Sequence, residues 1–443
     1  MLNEPASSIH DRRPQPAADE SVAPIPGVSP QLDAVRVAVM QVMAIEAERT
    51  PESLRPEENS GGAIILMMHE PELLVRFDGR LTVESEAAYA TLEATCKPLD
   101  MTPVLREAAG KHLIYIVNGR AKPGQRGWTW NLILFIATLI SVLYVGTLMA
   151  INEIGFENPF RAMVLAQDPW SEIWRGIPYA ASILLILGAH ELGHYFAARR
   201  RHVAVTLPYF LPFPWGMFGT FGAFIQLREP MRNRKVLFEI GAAGPLAGLI
   251  FAVPILLIGL ATSPTGPIPF GPSLIEGNSL LYAVSKRLIF GEWLPSAHLD
   301  VYLNSLAWAG WTGLFVTGLN LLPIGQLDGG HVLYALIGER AKQSYLPVIV
   351  LLTALTLFTS GGMLLILVLL ILFGRAHAVP LDNVTRLDPR RRLYAVATLV
   401  IFAIVFVPMP LTVRESAGLF DFSPSAWAGA VAVGFLLVRR LRR

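Results

Sequence analysis

Two histidines and a glutamate occupy a five-residue window near the end of an apolar segment. In LGAHELGHYFAARR (187–200), His190 and His194 are four residues apart, so on a helix both imidazoles lie on one face and can hold one metal ion. Glu191 can reach water on that ion without binding the ion itself. This His-Glu-x-x-His arrangement is typical of zinc hydrolases, in which the ion acidifies a water molecule and the carboxylate accepts its proton.

Chance is the alternative explanation for so short a pattern, because two of its five positions are free. The apolar surroundings weigh against chance. Ionisable side chains are costly within a membrane segment, and these three have no basic partner nearby in the helix. A bound cation would compensate them, so the pattern predicts a metal site.

The composition indicates a polytopic membrane protein. Of 443 residues, 53% are hydrophobic and only 16% are charged, which is too apolar for one soluble domain of ordinary surface. The net charge of +2 is too small to favour a nucleic-acid partner. Cys96 is the only cysteine, which excludes an intrachain disulfide and a thiolate metal cluster within one chain. A transition metal must therefore use histidine and carboxylate.

Eight apolar segments are candidate membrane crossings, because the lipid core requires helices of about 20 apolar residues. We expect them at 128–150, 177–198, 236–260, 301–322, 346–359, 363–374, 393–410 and 425–438. Loops rich in Lys and Arg stay cytosolic, and this places the basic clusters around the first three segments on one side. If 346–374 is a hairpin of two short helices, every later basic cluster lies on that side as well.

A third metal ligand is predicted in residues 318–332, GLNLLPIGQLDGGHV. In this topology the segment follows the fourth crossing on the same side as the two histidines, so Asp328 lies at a reachable depth. Pro323 interrupts regular helix, and the glycines around Asp328 allow the backbone to turn toward the ion. Capping of the following helix is the alternative role for Asp328, and its two oxygens can serve both purposes.

Two motifs together resemble the site-2 protease family of intramembrane zinc metalloproteases. HELGH at 190–194 and NLLPIGQLDG at 320–329 match the family's patterns in the expected order, and the resemblance covers 128–410. Loop 261–300 is too short for the peptide-binding PDZ domain of many bacterial members, so we expect a subgroup without it. The soluble region before the first crossing is similar in layout to that of plant chloroplast members.

The resemblance implies roles for individual residues. It implies one Zn²⁺ per chain, held by His190, His194 and Asp328. Glu191 would be the catalytic base, and Asn320 and Pro323 would shape the site. Asn320 is a candidate donor to the scissile carbonyl, and an interhelical hydrogen bond is the alternative role for this amide.

Residues 207–230 are apolar but too rich in proline and glycine for one helix. Non-helical backbone at membrane depth must be buried in protein or line a wet cavity. We expect GTFGAFIQL within this stretch to be extended, as in the re-entrant loop of the family, and to offer a strand edge to an unwound substrate. A loop that only fills the bundle is the alternative.

Three nearby features are expected to be structural. The glycines of FEIGAAGPLAGL (238–249) suit close helix contact. Glu239 is expected to pair with Arg232, Arg234 or Lys235. His331 is expected to support the site rather than to be a fourth ligand, since a catalytic zinc keeps one position open.

The sequence predicts four regions in a polytopic all-α membrane protein. Residues 1–31 are expected to be a disordered tail, 32–119 a small cytosolic α+β domain, 128–410 the metalloprotease core and 411–443 a last hydrophobic helix with a basic tail. In the small domain, 34–48 and 83–96 predict helices, whereas 63–70, 73–81 and 111–119 predict strands. No secretory signal pattern is present, so we expect the N-terminus in the cytosol and, in a bacterium, the protein in the inner membrane.

The sequence therefore favours a zinc endopeptidase that cleaves membrane-spanning substrates near the cytosolic interface. Its partners would be the lipid bilayer and membrane proteins with a transmembrane helix. A non-catalytic membrane chaperone or metal-dependent scaffold is the alternative of another class, but it has no need of Glu191. A prenyl-protein protease would be expected to use a Glu as third ligand, and a transporter would be expected to have repeated halves.

Overall fold

A computed structural model describes residues 30–54, 72–121, 124, 127–268, 273–296, 298–358 and 364–414. The expected tail 1–31, the expected strand 63–70 and the expected crossing 425–438 lie wholly or almost wholly outside these ranges. The described chain is mostly helical, with one four-stranded sheet and three two-stranded sheets.

The amino-terminal region folds as an α+β domain. Its elements are α1 (Pro30–Val42), β1 (Met43–Arg49), β2 (Leu73–Leu81), α2 (Ser85–Cys96), β3 (Met101–Ala108) and β4 (Lys111–Asn118). The sheet is antiparallel in the order β1-β2-β4-β3, and α1 and α2 cover a core that includes Phe77, Tyr89 and Ile114. The expected helix at 34–48 is wrong beyond Val42, because the chain enters β1 there. Strand β3 was not predicted from the sequence.

Among the described residues, three helices are long and apolar enough to cross a membrane: α3 (Thr129–Glu157), α5 (Ile177–Arg200) with the turn before it, and α6 (Arg234–Ala261). The short helix α4 (Pro159–Leu165) follows α3. Helices α5 and α6 pack along each other, and Gly193 permits this contact because a Cβ there would lie 2.6 Å from the Ala243 carbonyl oxygen.

The later helices are shorter than the first three. They are α7 (Leu280–Phe290), α8 (Ser305–Asn320), α9 (Asp328–Ile337), α10 (Tyr345–Phe358), α11 (Leu364–Phe373) and α12 (Pro389–Val405). Helix α8 has 16 residues and α10 has 14, below the roughly 20 that an isolated span needs. Length and composition thus support three of the eight expected crossings. In the stretch 346–374 the structure describes two short helices, and residues 359–363 between them lie outside the described ranges.

Residues 209–224 form a hairpin that follows α5 in the chain and packs against the first two long helices, α3 and α5. Strand β5 (Tyr209–Pro212) pairs with β6 (Thr220–Phe224), and β5 packs on α3. Asn131 of α3 donates to the Leu207 carbonyl oxygen at 2.8 Å, and Tyr179 of α5 donates to that of Phe218 at 3.0 Å. The expected extended segment is therefore a strand held by both helices.

Three short strands in the loop between α6 and α8, together with a fourth strand after α12, surround α7. Strand β7 (Thr265–Pro267) pairs with β9 (Leu299–Val301), and β8 (Ser273–Glu276) pairs with β10 (Leu411–Arg414). Trp311 of α8 lies beneath them, fully buried, and donates from Nε1 to the Gly277 carbonyl oxygen at 2.9 Å.

Residues 380–385, which we call the strap, join the amino-terminal domain to the helical core. Backbone bonds run from the Leu105 amide of β3 to the Leu381 carbonyl oxygen (2.9 Å) and from the Asn383 amide to the Leu105 carbonyl oxygen (3.1 Å). On its other side the strap bonds the backbone just before α6, where the Asp382 amide donates to the Arg232 carbonyl oxygen at 2.7 Å. The strap thus continues the domain's sheet into the core.

Candidate metal centre

Helices α5 and α9 bring three metal-binding side chains to one point. His190 and His194 are one turn apart on α5, and Asp328 is the first residue of α9. Asp328 Oδ2 lies 3.2 Å from His190 Nε2 and 3.3 Å from His194 Nε2, and the two Nε2 atoms are 3.2 Å apart. All three ligands expected from the sequence therefore converge, and both imidazoles are buried.

The spacing of these atoms fits a single tetrahedral ion. Zinc bonds of about 2.0 to 2.1 Å at tetrahedral angles hold neighbouring ligand atoms about 3.3 Å apart. His194 Nδ1 lies 2.7 Å from the Ile240 carbonyl oxygen, a bond that requires the proton on Nδ1 and leaves the Nε2 lone pair facing its neighbours. Two histidines and one carboxylate suit zinc, and three protein ligands leave the fourth position open.

Two glycines of α6 make room for the imidazoles. A Cβ at Gly244 would lie 2.1 Å from His194 Nε2, and one at Gly248 would lie 3.3 Å from the Cβ of His190. These glycines were expected to serve helix packing, and their contact with the ligands was missed. The available signal was their spacing of four residues, which matches that of the histidines.

Glu191 lies beside the triad without joining it. Its side chain is buried, and the backbone of Ile225, the residue after β6, interacts with its carboxylate. The group of possible ligands within reach of one ion contains only His190, His194 and Asp328 among the described residues. Glu191 is therefore next to the three possible ligands in the fold but is not one of them.

Asn320 ends α8 next to the site. Its Nδ2 lies 3.3 Å from His190 Nε2, so the amide reaches the triad from a third helix. Pro323 follows, and its carbonyl oxygen accepts a hydrogen bond from Ser344 Oγ at 2.7 Å. Leu327 holds the cap position of α9, and the Asp328 carboxylate makes no cap hydrogen bond. The alternative capping role of Asp328 is therefore not seen.

The structure shows the contacts of two residues near the triad, His331 and Glu239, for which the sequence predicted structural roles. His331 packs against Gly241 of α6 and lies outside the group of possible ligands. The expected partners of Glu239 are wrong: this carboxylate pairs with Arg201 and with Arg391, the latter at 2.7 Å. Residues distant in sequence lie closer to Glu239 than its neighbours on α6, because the ends of α5 and α12 meet there.

Two imidazoles, a carboxylate and an adjacent glutamate on apolar helices are the arrangement typical of zinc metallopeptidases. The family model described as "Peptidase family M50" matches residues 178–360, which contain the whole triad. Over this segment the chain is similar to peptidase family M50, the family of the site-2 proteases, and the resemblance predicted from the two motifs is confirmed.

Similar curated proteins are plant zinc metalloproteases. "Probable zinc metalloprotease EGY2, chloroplastic" of Arabidopsis thaliana is 29% identical over 238 residues, which are 53% of this chain and 42% of that protein. "Probable zinc metalloprotease EGY1, chloroplastic" is 30% identical over 228 residues in Oryza sativa subsp. japonica and 32% identical over 225 residues in Arabidopsis thaliana. These matches cover 48% of this chain and 38% and 40% of the relatives, so the chain spans less than half of their length. No solved structure matches the chain significantly.

Proposed function

We propose that this chain is an intramembrane endopeptidase that holds one zinc ion and hydrolyses peptide bonds of membrane-spanning substrates. The observation that carries the proposal is the convergence of His190 Nε2, His194 Nε2 and Asp328 Oδ2 to 3.2–3.3 Å, with Glu191 alongside. The names of the similar plant proteins support zinc as the ion.

Each residue of the site has a separate role in the proposed hydrolysis. His190, His194 and Asp328 would hold the zinc ion, which would supply a Lewis acid for the scissile carbonyl and for a water molecule. Glu191 accepts the proton of the attacking water and delivers it to the departing amine. The Asn320 amide, on the opposite helix, donates a hydrogen bond to the oxygen that gains negative charge.

Strand β6 is proposed to hold the substrate in an extended form. A helix hides its amides, so a transmembrane substrate must unwind before cleavage, and an open strand edge offers it replacement hydrogen bonds. Within the described residues β6 pairs only with β5, which leaves one edge without a strand. The contact of Glu191 with Ile225 supports this placement, because it sets the base at the end of that strand.

Cleavage is proposed to occur near the basic side of the membrane. His194 precedes the basic end of α5, Arg199–Arg201, by roughly 9 Å along the helix axis. Basic loops favour the cytosolic side, so the amino-terminal domain, which contacts the same ends of the helices, would lie there too.

The test compares zinc content and cleavage of a single-span model peptide for three purified proteins. We expect wild type to hold one zinc per chain and to cleave. Glu191→Gln should keep its zinc and lose cleavage by at least about 100-fold, because a general base is removed. Asp328→Ala should lose zinc and cleavage together, because one of three ligands is removed. His298→Ala, at an exposed histidine outside the triad, should match wild type.

Cleavage by Glu191→Gln at the wild-type rate would refute the protease proposal. The strand proposal has a separate test, in which the model peptide carries N-methyl groups on alternate amides around the scissile bond. Methylation should abolish cleavage in one of the two alternating sets, since it removes donors that pair with β6. Equal cleavage of both sets would reject β6 as the docking edge and leave the metal site untouched.

A further inference from the structure

A cavity of about 510 Å³ lies where the basic ends of α5, α6 and α12 meet helix α2 of the amino-terminal domain. Its charged lining comes from all four helices or the residues beside them: Arg200, Arg201, Arg232, Lys235, Arg391 and Glu86. Five cations therefore face one carboxylate. The proposed protease mechanism uses none of these groups.

The cationic charge of this basic cavity is only partly matched. Lys235 pairs with Glu86 at 2.7 Å, Arg201 pairs with Glu239, and Arg391 pairs with both Glu239 and Asp388. Arg200 makes no ion pair within the described part of the chain, and its side chain is exposed. The cavity thus retains positive charge with an accessible donor at its wall.

Arg232 adds a second cation with unused donor capacity. Its Nε is buried and makes no hydrogen bond within the described residues. The nearest carboxylate oxygen, on Glu93, lies 3.9 Å from that nitrogen, and the guanidinium stacks over the Tyr89 ring. The ring and the long contact hold Arg232 in place while leaving an N–H group for an acceptor from outside the chain.

The N-terminus of helix α6 lies at the cavity, since its cap Asn233 is a lining residue. The N-terminus of α12 is already capped by the Asp388 carboxylate, which accepts a hydrogen bond from the Arg391 amide at 3.0 Å. Lys235 lies in the first turn of α6 and Arg391 in the first turn of α12, and both line the cavity. The N-terminal end of a helix carries partial positive charge, which adds to that of the side chains and favours an anion.

We infer that the basic cavity binds a phosphate group, and that the headgroup of an anionic phospholipid supplies it. The position argues for a lipid, because the cavity lies at the ends of the membrane helices α5 and α6, at the level of headgroup phosphates. Arginine suits this ligand because its planar donors match phosphate oxygens. Among the described lining residues the amino-terminal domain contributes only Glu86, so the arginines of the core would hold the headgroup.

The test measures the melting temperature of the full chain in nanodiscs of neutral phosphatidylcholine, with and without one-third phosphatidylglycerol. The cavity variant is Arg200→Gln with Arg232→Gln. Its control is Arg199→Gln with Arg390→Gln, which removes the same charge from the same basic face outside the cavity. A further arm adds inorganic phosphate to the neutral discs. None of these readouts requires proteolysis, so the result is independent of the proposed function.

We expect phosphatidylglycerol to raise the melting temperature of wild type and of the control variant. The cavity variant should lose most of this rise at the same lipid composition, since two phosphate-facing charges are lost. Protection by inorganic phosphate alone would support the phosphate site and assign it to a soluble ligand. Equal losses in both variants would overturn the inference, because they would indicate general attraction to the membrane. Absence of any protection of wild type would overturn it as well.

Discussion

The imidazole of His194 occupies the space that a side chain at Gly244 would need. A Cβ on Gly244 would lie 2.1 Å from Nε2 and 2.3 Å from Cδ2 of that ring. The ring cannot move aside freely, because its Nδ1 is bonded to the Ile240 carbonyl oxygen one turn earlier on the same helix α6. Helix α6 therefore both orients this ligand and limits the space around it.

Gly244→Ala should consequently lower zinc affinity by about 10- to 100-fold, the usual cost of disturbing the groups that orient a ligand. Cleavage should fall in proportion to the zinc lost. The matched control is Gly188→Ala on α5, where the nearest heavy atom to a new Cβ is Phe210 Cζ at 4.0 Å. Zinc content by mass spectrometry and peptide cleavage give the two readouts. Full zinc occupancy in Gly244→Ala would show that the ring relocates without cost.

A variant of Asn320 can distinguish two roles of its amide: a hydrogen bond to the oxyanion of the substrate, or support of the ligand His190. Its Nδ2 is 3.3 Å from His190 Nε2, so it could act on the substrate or simply pack against the histidine. If it donates to the developing oxyanion, Asn320→Leu should keep zinc and KM while kcat falls about 100- to 1000-fold. Loss of zinc in step with kcat would assign Asn320 a supporting role for His190 instead.

The triad could be predicted from sequence because each part follows from a local rule. Four-residue spacing places two histidines on one helix face, and the broken helix after Asn320 allows Asp328 to turn toward them. The partners of Glu239 could not be predicted in the same way. They depend on where the ends of α5 and α12 meet, and only tertiary packing determines that.

The amino-terminal domain illustrates the limits of periodicity. The run that begins in α1 stays apolar past Val42, so helix and strand could not be separated there by pattern alone. Strand β3 was missed because it contains Pro103, which argues against a central strand. Its place at the end of the sheet order explains why the proline is tolerated, and the strap then bonds to it.

The strap depends on Asp382, whose side chain is fully buried. Its carboxylate accepts hydrogen bonds from the Val384 amide at 2.9 Å and the Thr385 amide at 3.0 Å, and from the Thr385 hydroxyl. Asp382→Ala leaves these donors without an acceptor, so it should destabilise the attachment of the domain by about 2 kcal/mol. Limited proteolysis should then release the domain faster, whereas the exposed control Asp168→Ala should behave as wild type. Equal release from both would place the attachment elsewhere.

The segment between α6 and α8 contains a buried charge pair. Lys286 of α7 is fully buried, with Nζ 3.7 Å from Glu276 Oε1 and 4.4 Å from the centre of the Tyr282 ring. Tyr282 donates its hydroxyl hydrogen to the same carboxylate at 2.8 Å. Burial raises the pKa of Glu276 and of the neighbouring Asp300 and lowers that of Lys286.

Removing one partner of this pair should cost more than removing both. Lys286→Met leaves a buried carboxylate with only Tyr282 as donor, so unfolding free energy should fall by about 3 kcal/mol. The double variant Lys286→Met with Glu276→Gln should recover most of that loss, because it removes both buried charges. Thermal unfolding in detergent gives the comparison. A double variant as unstable as Lys286→Met would mean that Glu276 has no unfavourable charge in the fold.

The same pair predicts a direction of pH dependence. Because the folded pKa of Glu276 is raised above 4.5, the unfolded chain ionises this group first, and stability is lost as pH rises above that value. Asp300 acts in the same direction. Just above pH 4.5, wild type should therefore lose stability with rising pH, and the double variant should lose less because only Asp300 remains. Equal slopes for the two proteins would mean that Glu276 does not titrate in this window.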